Sequence, residues 1–355
     1  MTGRVNLKAL SKDDTFRFIR EKGLPRYRAE QLLNWIYQRH ATDIRQITEY
    51  SLELRNQLAA VAYISSLELV TRLVSNDGTE KFLFRLEDGE TIESVLIPDE
   101  DRLTLCVSSQ VGCAMGCRFC LTGSMGLIRN LDAGEIIDQV LSVNRLIGQI
   151  SGKPGTSGKT EGGRRVSNIV LMGMGEPLAN FDHVVDALWR ITEFLGISKR
   201  RITLSTAGLV PKILMLAGKA PEINLAISLN ATTDQVRNEI MPVNKKYPIN
   251  VLLEACRTYP LGPRRMITFE YVLLGNLNDS PADARRLAGL VRGIRCKINL
   301  IPYNPHAAAA GLERPSEKRL LAFQDILVDH GLTALIRESR GQDILAACGQ
   351  LKAAH

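Results

Sequence analysis

The sequence lacks the long apolar runs that a membrane protein requires. Among its 355 residues no stretch of 18 uninterrupted apolar residues occurs, and its first residues hold no basic region followed by an apolar one. We therefore expect neither a membrane span nor a secretory signal, and we expect the cytoplasm as the compartment. The content of 45% hydrophobic and 23% charged residues excludes a disordered chain and a collagen-like one.

Acidic residues and cysteines are both scarce, and each shortage carries information. The 38 acidic residues are outnumbered by 45 basic ones, and the net charge of +7 suits an anionic partner such as nucleic acid. The seven cysteines are odd in number in a chain without an export signal, which argues against structural disulfides and for metal or catalytic thiols. Four of them fall within residues 106–120.

The length fits one large barrel-type domain with a smaller accessory domain. Residues 1–65 are predicted to be a helical accessory domain, because they show no strand alternation and residues 32–37 place apolar side chains near one helix face. Basic side chains cluster between residues 17 and 28 and make this domain a candidate for RNA binding. The alternative interpretation of that cluster is a solvated helix face. Residues 66–98 are predicted to be a β-hairpin linker, residues 99–338 the catalytic core, and residues 339–355 a separate C-terminal segment.

The core region alternates short β-branched runs with helical stretches, which predicts a parallel sheet. The fold class is therefore α/β, and an open, partial (β/α)6 barrel is favoured over a doubly wound sheet. In either fold the chemistry belongs at the C-terminal ends of the strands. The predicted strands are 103–107, 168–172, 201–205, 223–229, 266–273, 297–302 and 333–338.

One glycine-rich segment interrupts this alternation. Residues 151–165 hold five glycines and a charge of +3, which predicts a flexible basic loop. Its spacing of glycine and lysine does not fit a phosphate-binding P-loop, because one residue too many separates the two glycines and no strand or helix flanks them. We expect either an extra phosphate contact or a tolerated insertion.

Cys113, Cys117 and Cys120 form a C-x3-C-x2-C triplet directly after the first core strand. Three thiolates on one tight loop can hold three corners of a [4Fe–4S] cluster and leave the fourth iron open for a substrate. The alternative is a zinc site completed by another cysteine, although zinc sites usually contain C-x2-C pairs.

The triplet resembles that of the radical S-adenosylmethionine (SAM) enzymes, in which SAM chelates the open iron. The next strand leads into Gly173-Met-Gly-Glu-Pro177, which is similar to the glycine-rich turn that meets the SAM amino group in that superfamily. Glycines let backbone carbonyls approach a ligand, and Glu176 supplies an anionic acceptor.

Several further motifs narrow the resemblance to one family, the RlmN family, over nearly the whole chain. RlmN enzymes methylate carbon 2 of adenosine in 23S ribosomal RNA and in transfer RNA, next to the anticodon. The resemblance therefore implies these RNAs as substrates, a monomer, and an electron donor such as flavodoxin or ferredoxin. The motifs are 106–113, 173–177, 204–206, 227–229, 296–304 and 346–350.

The resemblance also implies a mechanism that uses two SAM molecules per turnover. One SAM methylates Cys348, and a second is cleaved to a 5′-deoxyadenosyl radical that removes a hydrogen from the S-methyl group. The resulting methylene radical adds to adenine carbon 2 and joins protein to RNA. After loss of an electron and of the carbon-2 proton, attack by Cys106 on the Cys348 sulfur releases the methylated RNA and leaves a transient disulfide.

Carried over to this chain, the resemblance assigns a role to each matching residue. Cys113, Cys117 and Cys120 are the cluster ligands, Cys348 is the methyl carrier and Cys106 the resolving thiol. Glu93 is the proton acceptor, although it could instead pair with a basic side chain, and Cys106 could take the proton itself. Asn230 departs from the histidine usual in the family. The expected SAM contacts are Gly175, Glu176, Ser205, Ser228, Leu229, Asn230 and Asn304.

Three alternatives remain open at this point. A sister antibiotic-resistance methyltransferase, which modifies carbon 8 of the same ribosomal adenosine, shares the cysteines. A non-catalytic RNA-binding protein would use the thiols for structural zinc. A radical enzyme acting on a protein or small molecule would leave Cys106, Cys348 and the basic N-terminal region without a role.

Overall fold

The computed structural model describes residues 3–150, 165–306, 309 and 311–352. Three helices form the N-terminal region, as predicted, and each of α1 and α3 begins at a serine whose side chain accepts a backbone N–H. Two short strands, which the sequence did not predict, pair in parallel and connect the ends of this region. In chain order these elements are β1 Val5–Asn6, α1 Lys12–Glu21, α2 Tyr27–Tyr37, α3 Leu52–Val61 and β2 Ala62–Tyr63.

The predicted hairpin of residues 66–98 is wrong in one respect, because it has three antiparallel strands instead of two. The missed strand is β3 (Glu68–Val74), which pairs with β4 (Glu80–Arg85), and β4 pairs with β5 (Thr91–Asp99). Every residue of β3 is exposed. An edge strand without a buried face has no apolar alternation, so the sequence pattern that reveals a strand is absent.

The core strands are β6 Arg102–Cys106, β9 Asn168–Leu171, β10 Ile202–Thr206, β11 Asn224–Ser228, β12 Ile267–Leu273, β13 Cys296–Pro302 and β14 Ala334–Ile336; β7 Gln110–Cys113 and β8 Gly126–Asn130 form a separate small hairpin. The core strands and β3–β5 make one ten-stranded sheet with the order β14-β13-β12-β11-β10-β9-β6-β5-β4-β3. From β6 to β14 the neighbours in this order are parallel, so the predicted α/β fold with a partial (β/α)6 barrel is confirmed.

Helices connect the parallel strands and cover one face of the sheet with apolar side chains. None of the helices in the described ranges is long and apolar enough to cross a membrane. All but the last residue of the predicted basic loop, residues 151–165, lie outside the described residues, and the role of the loop stays a prediction. The helices are α4 Leu121–Ser124, α5 Ala133–Ile150, α6 Phe181–Glu193, α7 Val210–Lys219, α8 Asp234–Ile240, α9 Ile249–Thr258, α10 Pro281–Leu290 and α11 Glu317–Asp329.

The register of the sheet separates an apolar face from a reactive one. Side chains alternate between the two faces of a strand, and residues paired in register share a face. The helix-covered face carries fully buried residues such as Leu105, Ile169 and Phe269. The opposite face, which we call the inner face, carries Glu93, Cys106, Ser205, Ser228, Glu270 and Asn299. Four of these six are predicted site residues.

Candidate active site

The cysteine triplet lies on the turn of the small hairpin instead of on a free loop. Cys113 ends β7 and pairs with Gly126 of β8, while Cys120 is the N-cap of α4. Gly112 has φ +75°, and a Cβ there would lie 2.0 Å from the carbonyl oxygen of Gly126. Only glycine fits that position, so Gly112, directly before the triplet, allows the close approach of β7 to β8.

Burial raises the pKa of all three triplet thiols. The pKa of Cys113 is raised to about 12, and that of Cys117 is raised further by the neighbouring Cys120 and Cys113 thiols. Thiols with such raised pKa values stay protonated at neutral pH, and a metal that binds them displaces the protons.

The three thiols interact, yet within the described chain no three His, Cys, Asp or Glu side chains converge on one point as a single metal ion would require. Three cysteines on one hairpin turn are the donor set of a [4Fe–4S] cluster whose fourth iron has no protein ligand.

The glycine-rich turn is joined by hydrogen bonds to the segment that leads into the triplet. The amides of Ser109 and Gln110 donate to the Met174 carbonyl at 2.8 and 3.2 Å, and the Gln110 side chain accepts from the Glu176 amide at 2.8 Å. Gly175 has φ +103°, and a Cβ there would lie 2.6 Å from Cβ of Gln110. The two predicted cofactor-binding segments are thus packed backbone to backbone.

Glu176 is buried, and both of its carboxylate oxygens accept backbone hydrogen bonds. Oε1 accepts from Leu178 at 3.0 Å and Oε2 accepts from Ala207 at 2.7 Å. Burial raises the pKa of Glu176 in spite of these bonds. Because each oxygen has a further lone pair, the carboxylate can still accept from a ligand ammonium group while it joins β9 to β10.

Ser205 and Ser228, on the inner face near the ends of their strands, are both partly exposed. Behind them lies Arg237, a fully buried residue that the sequence analysis missed. Its guanidinium donates to the carbonyls of Ala207, Ser228 and Leu229 at 2.8–3.1 Å. Arg237 therefore fixes the backbone at the predicted SAM contacts, and burial lowers its pKa to about 10.

Asn230 uses its side chain to hold the protein's own backbone. Oδ1 accepts from the Val272 amide at 2.8 Å and Nδ2 donates to the Met241 sulfur at 3.2 Å. Its φ of +58° is in the left-handed region, which asparagine tolerates better than most residues. The predicted SAM contact at this position stays a prediction, for which the side chain keeps one N–H and one oxygen lone pair beyond these two bonds.

The structure brings together Cys106 and Cys348, which are far apart in the sequence. Cys106 is buried at the end of β6, and its pKa is raised by burial and then by the nearby Cys348 thiol. The Cys348 residue is exposed to solvent in part, while desolvation of its thiol and the nearby Glu270 carboxylate raise the pKa of that thiol to about 11. The Cys120 thiol also acts on Cys348, so the cysteine pair lies beside the triplet.

Hydrogen bonds to the residues directly after Cys348 attach the C-terminal segment to the triplet hairpin. The Leu121 amide donates to the Gly349 carbonyl at 2.7 Å, and the Thr122 hydroxyl donates to the Leu351 carbonyl at 2.6 Å. Asn304 Nδ2 donates to the carbonyl of Cys348 itself at 3.3 Å. Asn304, a predicted SAM contact, thus orients the predicted methyl carrier.

Glu93 lies on the inner face of β5 and is bonded at both carboxylate oxygens. Oε1 forms an ion pair with Lys81 at 3.0 Å, and Oε2 accepts from the Lys352 amide at 2.8 Å. Burial raises the pKa of Glu93, and Lys81 partly opposes that shift. Both interpretations of Glu93 from the sequence thus find support in its surroundings, since it is a buried carboxylate with a raised pKa and it also has a basic partner.

The sequence analysis missed two further polar residues on the inner face, Glu270 and Asn299. Each is nine-tenths buried, and Asn299 Nδ2 donates to Glu270 Oε1 at 2.9 Å. A glutamate in the middle of an otherwise apolar strand, Ile267–Leu273, was the signal that could have identified this pair.

Comparison with known proteins identifies the relatives of this chain. Residues 5–64 match the family model for the ribosomal RNA large subunit methyltransferase N-terminal domain. The chain is 51% identical over 354 residues to the dual-specificity RNA methyltransferase RlmN of Geobacter sulfurreducens, covering 99% of this chain and 93% of that protein. It is 50% identical to the protein of the same name from Syntrophotalea carbinolica, covering 98% and 90%.

The fold has a similarly close relative. The crystal structure of a radical SAM methyltransferase from Sphaerobacter thermophilus superposes with a TM-score of 0.90 at 43% sequence identity, covering 99% of this chain and all of that one. Because this identity extends over nearly the full length of this chain and of its relatives, the relationship includes the segments that carry Cys106 and Cys348. The chain belongs to the RlmN family of radical SAM RNA methyltransferases.

Proposed function

We propose that this enzyme methylates carbon 2 of a specific adenosine in 23S ribosomal RNA, free or partly assembled, and in transfer RNA at the adenosine next to the anticodon. The observation that carries the proposal is that the free thiols of Cys106 and Cys348 lie near each other and beside the cysteine triplet. Carbon 2 of adenine is electrophilic, so polar methyl transfer from SAM cannot reach it. A thiol that carries the methyl group and a second thiol that resolves the product are the groups this chemistry needs.

A [4Fe–4S] cluster on Cys113, Cys117 and Cys120 would supply, together with SAM, the radical that activates the methyl group. The chain's own residues then hold and release the substrate. Cys348 carries the methyl group into contact with adenine, and Asn304 orients it through its carbonyl. Cys106 closes the cycle by attack on the Cys348 sulfur, with methylated RNA as leaving group and a Cys106–Cys348 disulfide as product.

The carbon-2 proton requires an acceptor, and Glu93 is the carboxylate we assign to it. Its raised pKa brings it nearer to neutral pH, where a general base works best. Each oxygen of Glu93 keeps a further lone pair beside its bond to Lys81 or to the Lys352 amide, so it can take the proton while these bonds hold the carboxylate in place. Cys106 is the alternative acceptor.

The N-terminal region supplies the surface for RNA phosphates. Arg17, Arg20, Lys22 and Arg26 are exposed on and after α1, and Arg20 and Lys22 form no ion pair with the rest of the described chain. Unpaired exposed cations are the groups that phosphates recruit. RNA as substrate places the reaction in the cytoplasm. A monomer reduced by a flavodoxin-like or ferredoxin-like donor is the form we infer.

Nucleoside mass spectrometry tests the proposed position of methylation. Ribosomal and transfer RNA from a deletion strain, incubated with purified enzyme, SAM and a reductant, should gain 2-methyladenosine. The appearance of 8-methyladenosine instead would assign the enzyme to the sister resistance reaction. Retention of 2-methyladenosine in the deletion strain before incubation would refute the proposal.

The zinc hypothesis is tested by the metal content of the same protein. Anaerobic purification should give a brown protein with about four irons per chain, as one [4Fe–4S] cluster requires. A colourless protein with one zinc per chain and no SAM turnover would favour a non-catalytic RNA-binding role.

A further inference from the structure

The inner face holds one buried carboxylate that the proposed reaction does not use. Glu270 lies in the middle of β12, in register with Ser228 of β11 on one side and Asn299 of β13 on the other. It is 7% exposed, and Asn299 is 9% exposed. A charged residue at such a position is uncommon unless a partner stabilises it.

The partners that the protein provides for Glu270 are incomplete. Oε1 accepts from Asn299 Nδ2 at 2.9 Å, while Oε2 receives no hydrogen bond from any described residue. Lys297 and Arg337 act on the carboxylate through space but form no ion pair with it within 4.0 Å. Oδ1 of Asn299 is buried and also lacks a donor. The pair thus offers one buried acceptor without a donor, Asn299 Oδ1, which is costly in a buried site, and beside it Glu270 Oε2, which accepts no hydrogen bond from the described residues.

The position of this acceptor pair relative to the reactive thiols indicates what it can bind. The Glu270 carboxylate, on the inner face, lies close enough to Cys348 to act on that thiol electrostatically, and Cys348 acts in the same way on Cys106, which is also on the inner face. A ligand that donates a hydrogen bond to Oε2 therefore lies against the methyl carrier. Asn299, by holding Oε1, leaves Oε2 as the oxygen that faces such a ligand.

We propose that Glu270, held by Asn299, accepts a hydrogen bond from the 6-amino group of an adenine bound against Cys348. An amino group supplies the N–H donor that the carboxylate lacks, and a hydrogen bond to a charged acceptor is among the stronger ones. The inference rests on the proposed function for the presence of an adenine at Cys348. It goes beyond that function by naming the residue that recognises the base.

The same contact explains how the enzyme would reject other purines. Guanine and hypoxanthine carry a carbonyl oxygen at position 6, which would oppose the carboxylate oxygen and leave both acceptors unpaired. The 6-amino group has two possible sources, the target adenosine of RNA and the adenine of SAM. Contact with the methyl carrier favours the target adenosine, and binding measurements separate the two sources.

The first measurement uses the wild-type holoenzyme without reductant, so that binding is not followed by turnover. An RNA hairpin that the enzyme methylates is prepared with adenosine or with purine riboside, which lacks only the amino group, at the target position. Fluorescence anisotropy should give a Kd about 10-fold lower for the adenosine hairpin, the effect of one charge-assisted hydrogen bond. A hairpin with inosine should bind no better than the purine riboside hairpin.

The second measurement repeats the comparison with Glu270→Gln. In this variant Asn299 keeps its bond to Oε1, and the amide nitrogen of the new side chain replaces Oε2 and faces the amino group with a donor. The ratio of the two Kd values should fall close to one, while the Kd of the purine riboside hairpin stays unchanged. Glu254→Gln is the matched control, because Glu254 lies on the surface of α9 with a side chain 65% exposed, and it should keep the wild-type ratio.

The outcomes separate the subsite from the function on which it rests. Equal wild-type affinities for the adenosine and purine riboside hairpins overturn the subsite, even if turnover still yields 2-methyladenosine. An unchanged ratio in Glu270→Gln overturns it as well, and a simultaneous loss of SAM affinity in equilibrium dialysis would show that Glu270 serves the cofactor's adenine instead. Absence of 2-methyladenosine from the wild-type turnover reaction would refute the proposed function itself. The wild-type comparison needs no variant, so a misfolded Glu270→Gln protein leaves the test intact.

Discussion

Lys81 bridges Glu93 and the segment that carries the predicted methyl carrier. Its Nζ lies 3.0 Å from Glu93 Oε1 and donates to the Leu345 carbonyl at 3.2 Å, while Glu93 Oε2 accepts from Lys352. Residues on both sides of Cys348 are thus attached to β4 and β5 through one ion pair that is almost fully buried. A buried pair of this kind positions a segment strongly, because removal of one partner leaves the other charge uncompensated.

We therefore predict that Lys81→Met loosens the C-terminal segment. Hydrogen exchange of residues 341–352 and alkylation of Cys348 by iodoacetamide should both accelerate several-fold, and the free energy of unfolding should fall by about 3 kcal/mol. Arg72→Met is the control. Arg72 forms an ion pair with Glu80 at 2.6 Å in the same antiparallel part of the sheet, but the side chains of that pair are more exposed than those of Lys81 and Glu93. Equal exchange rates in wild type and Lys81→Met would show that the other contacts alone hold the segment.

The glycine-rich turn allows a prediction about local strain. Gly175→Ala should abolish SAM binding and lower the free energy of unfolding by about 2 kcal/mol or more, because its φ of +103° and the 2.6 Å approach to Gln110 leave no room for a Cβ. Gly218→Ala, within α7 and with nothing within 4 Å of the added Cβ, should instead stabilise the protein slightly. Equilibrium dialysis with SAM and urea unfolding measure both effects.

Much of this architecture follows from sequence periodicity, and the failures have identifiable physical causes. The parallel strands were predictable because their buried faces produce short apolar runs between helices. Strand β3 was missed because every one of its residues is exposed. The cysteine triplet and the glycine-rich turn were predicted because each is a local motif, recognised by the spacing of its residues along the chain.

Contacts between distant segments could not be derived from the sequence in this way. The Lys81–Glu93 pair and the bond from Lys352 join residues 81, 93 and 352, and only the folded chain brings them together. Arg237 and Asn299 were overlooked because the sequence does not show which polar residues of a helix or strand become buried in the folded chain. Their roles depend on carbonyls and a carboxylate supplied by other strands.

Glu270 leads to a prediction about the pH dependence of stability. Burial raises its pKa from 4.5 to about 6, and Asn299, Arg337 and Lys297 only partly oppose the shift. A carboxyl group with a raised folded-state pKa contributes stability below its unfolded pKa and loses it as the pH rises through the folded value. The Glu270→Gln variant carries no charge at this position, so it should be more stable than wild type by about 2 kcal/mol at pH 8 and by less than half of that at pH 5.

Urea unfolding of both proteins across this range measures the difference. Glu254→Gln, which changes an exposed carboxylate, should show no comparable dependence on pH. A constant difference between wild type and Glu270→Gln from pH 5 to pH 8 would mean that the carboxylate is ionised throughout and is stabilised by the barrel interior.

The two thiols brought together at the site should fail in opposite ways when they are removed. In Cys106→Ala the methylated Cys348 can still form its bond to adenine, but no thiol is left to attack the Cys348 sulfur. We expect this variant to purify as a covalent RNA adduct, visible as an added mass that ribonuclease shortens to a single nucleotide on Cys348. Cys348→Ala has no sulfur to carry the methyl group and should form no adduct.

Cys256→Ala provides the matched control, because Cys256 is equally buried but lies within α9, away from the reactive pair. It should form methylated RNA and no adduct. We expect this difference between Cys106→Ala and Cys256→Ala because Cys106, which is buried at the end of β6, lies near Cys348 and can form a disulfide with it. If Cys106→Ala is free of nucleic acid while Cys256→Ala turns over normally, Cys106 does not resolve the intermediate, and its buried thiol serves only to pack the strand end.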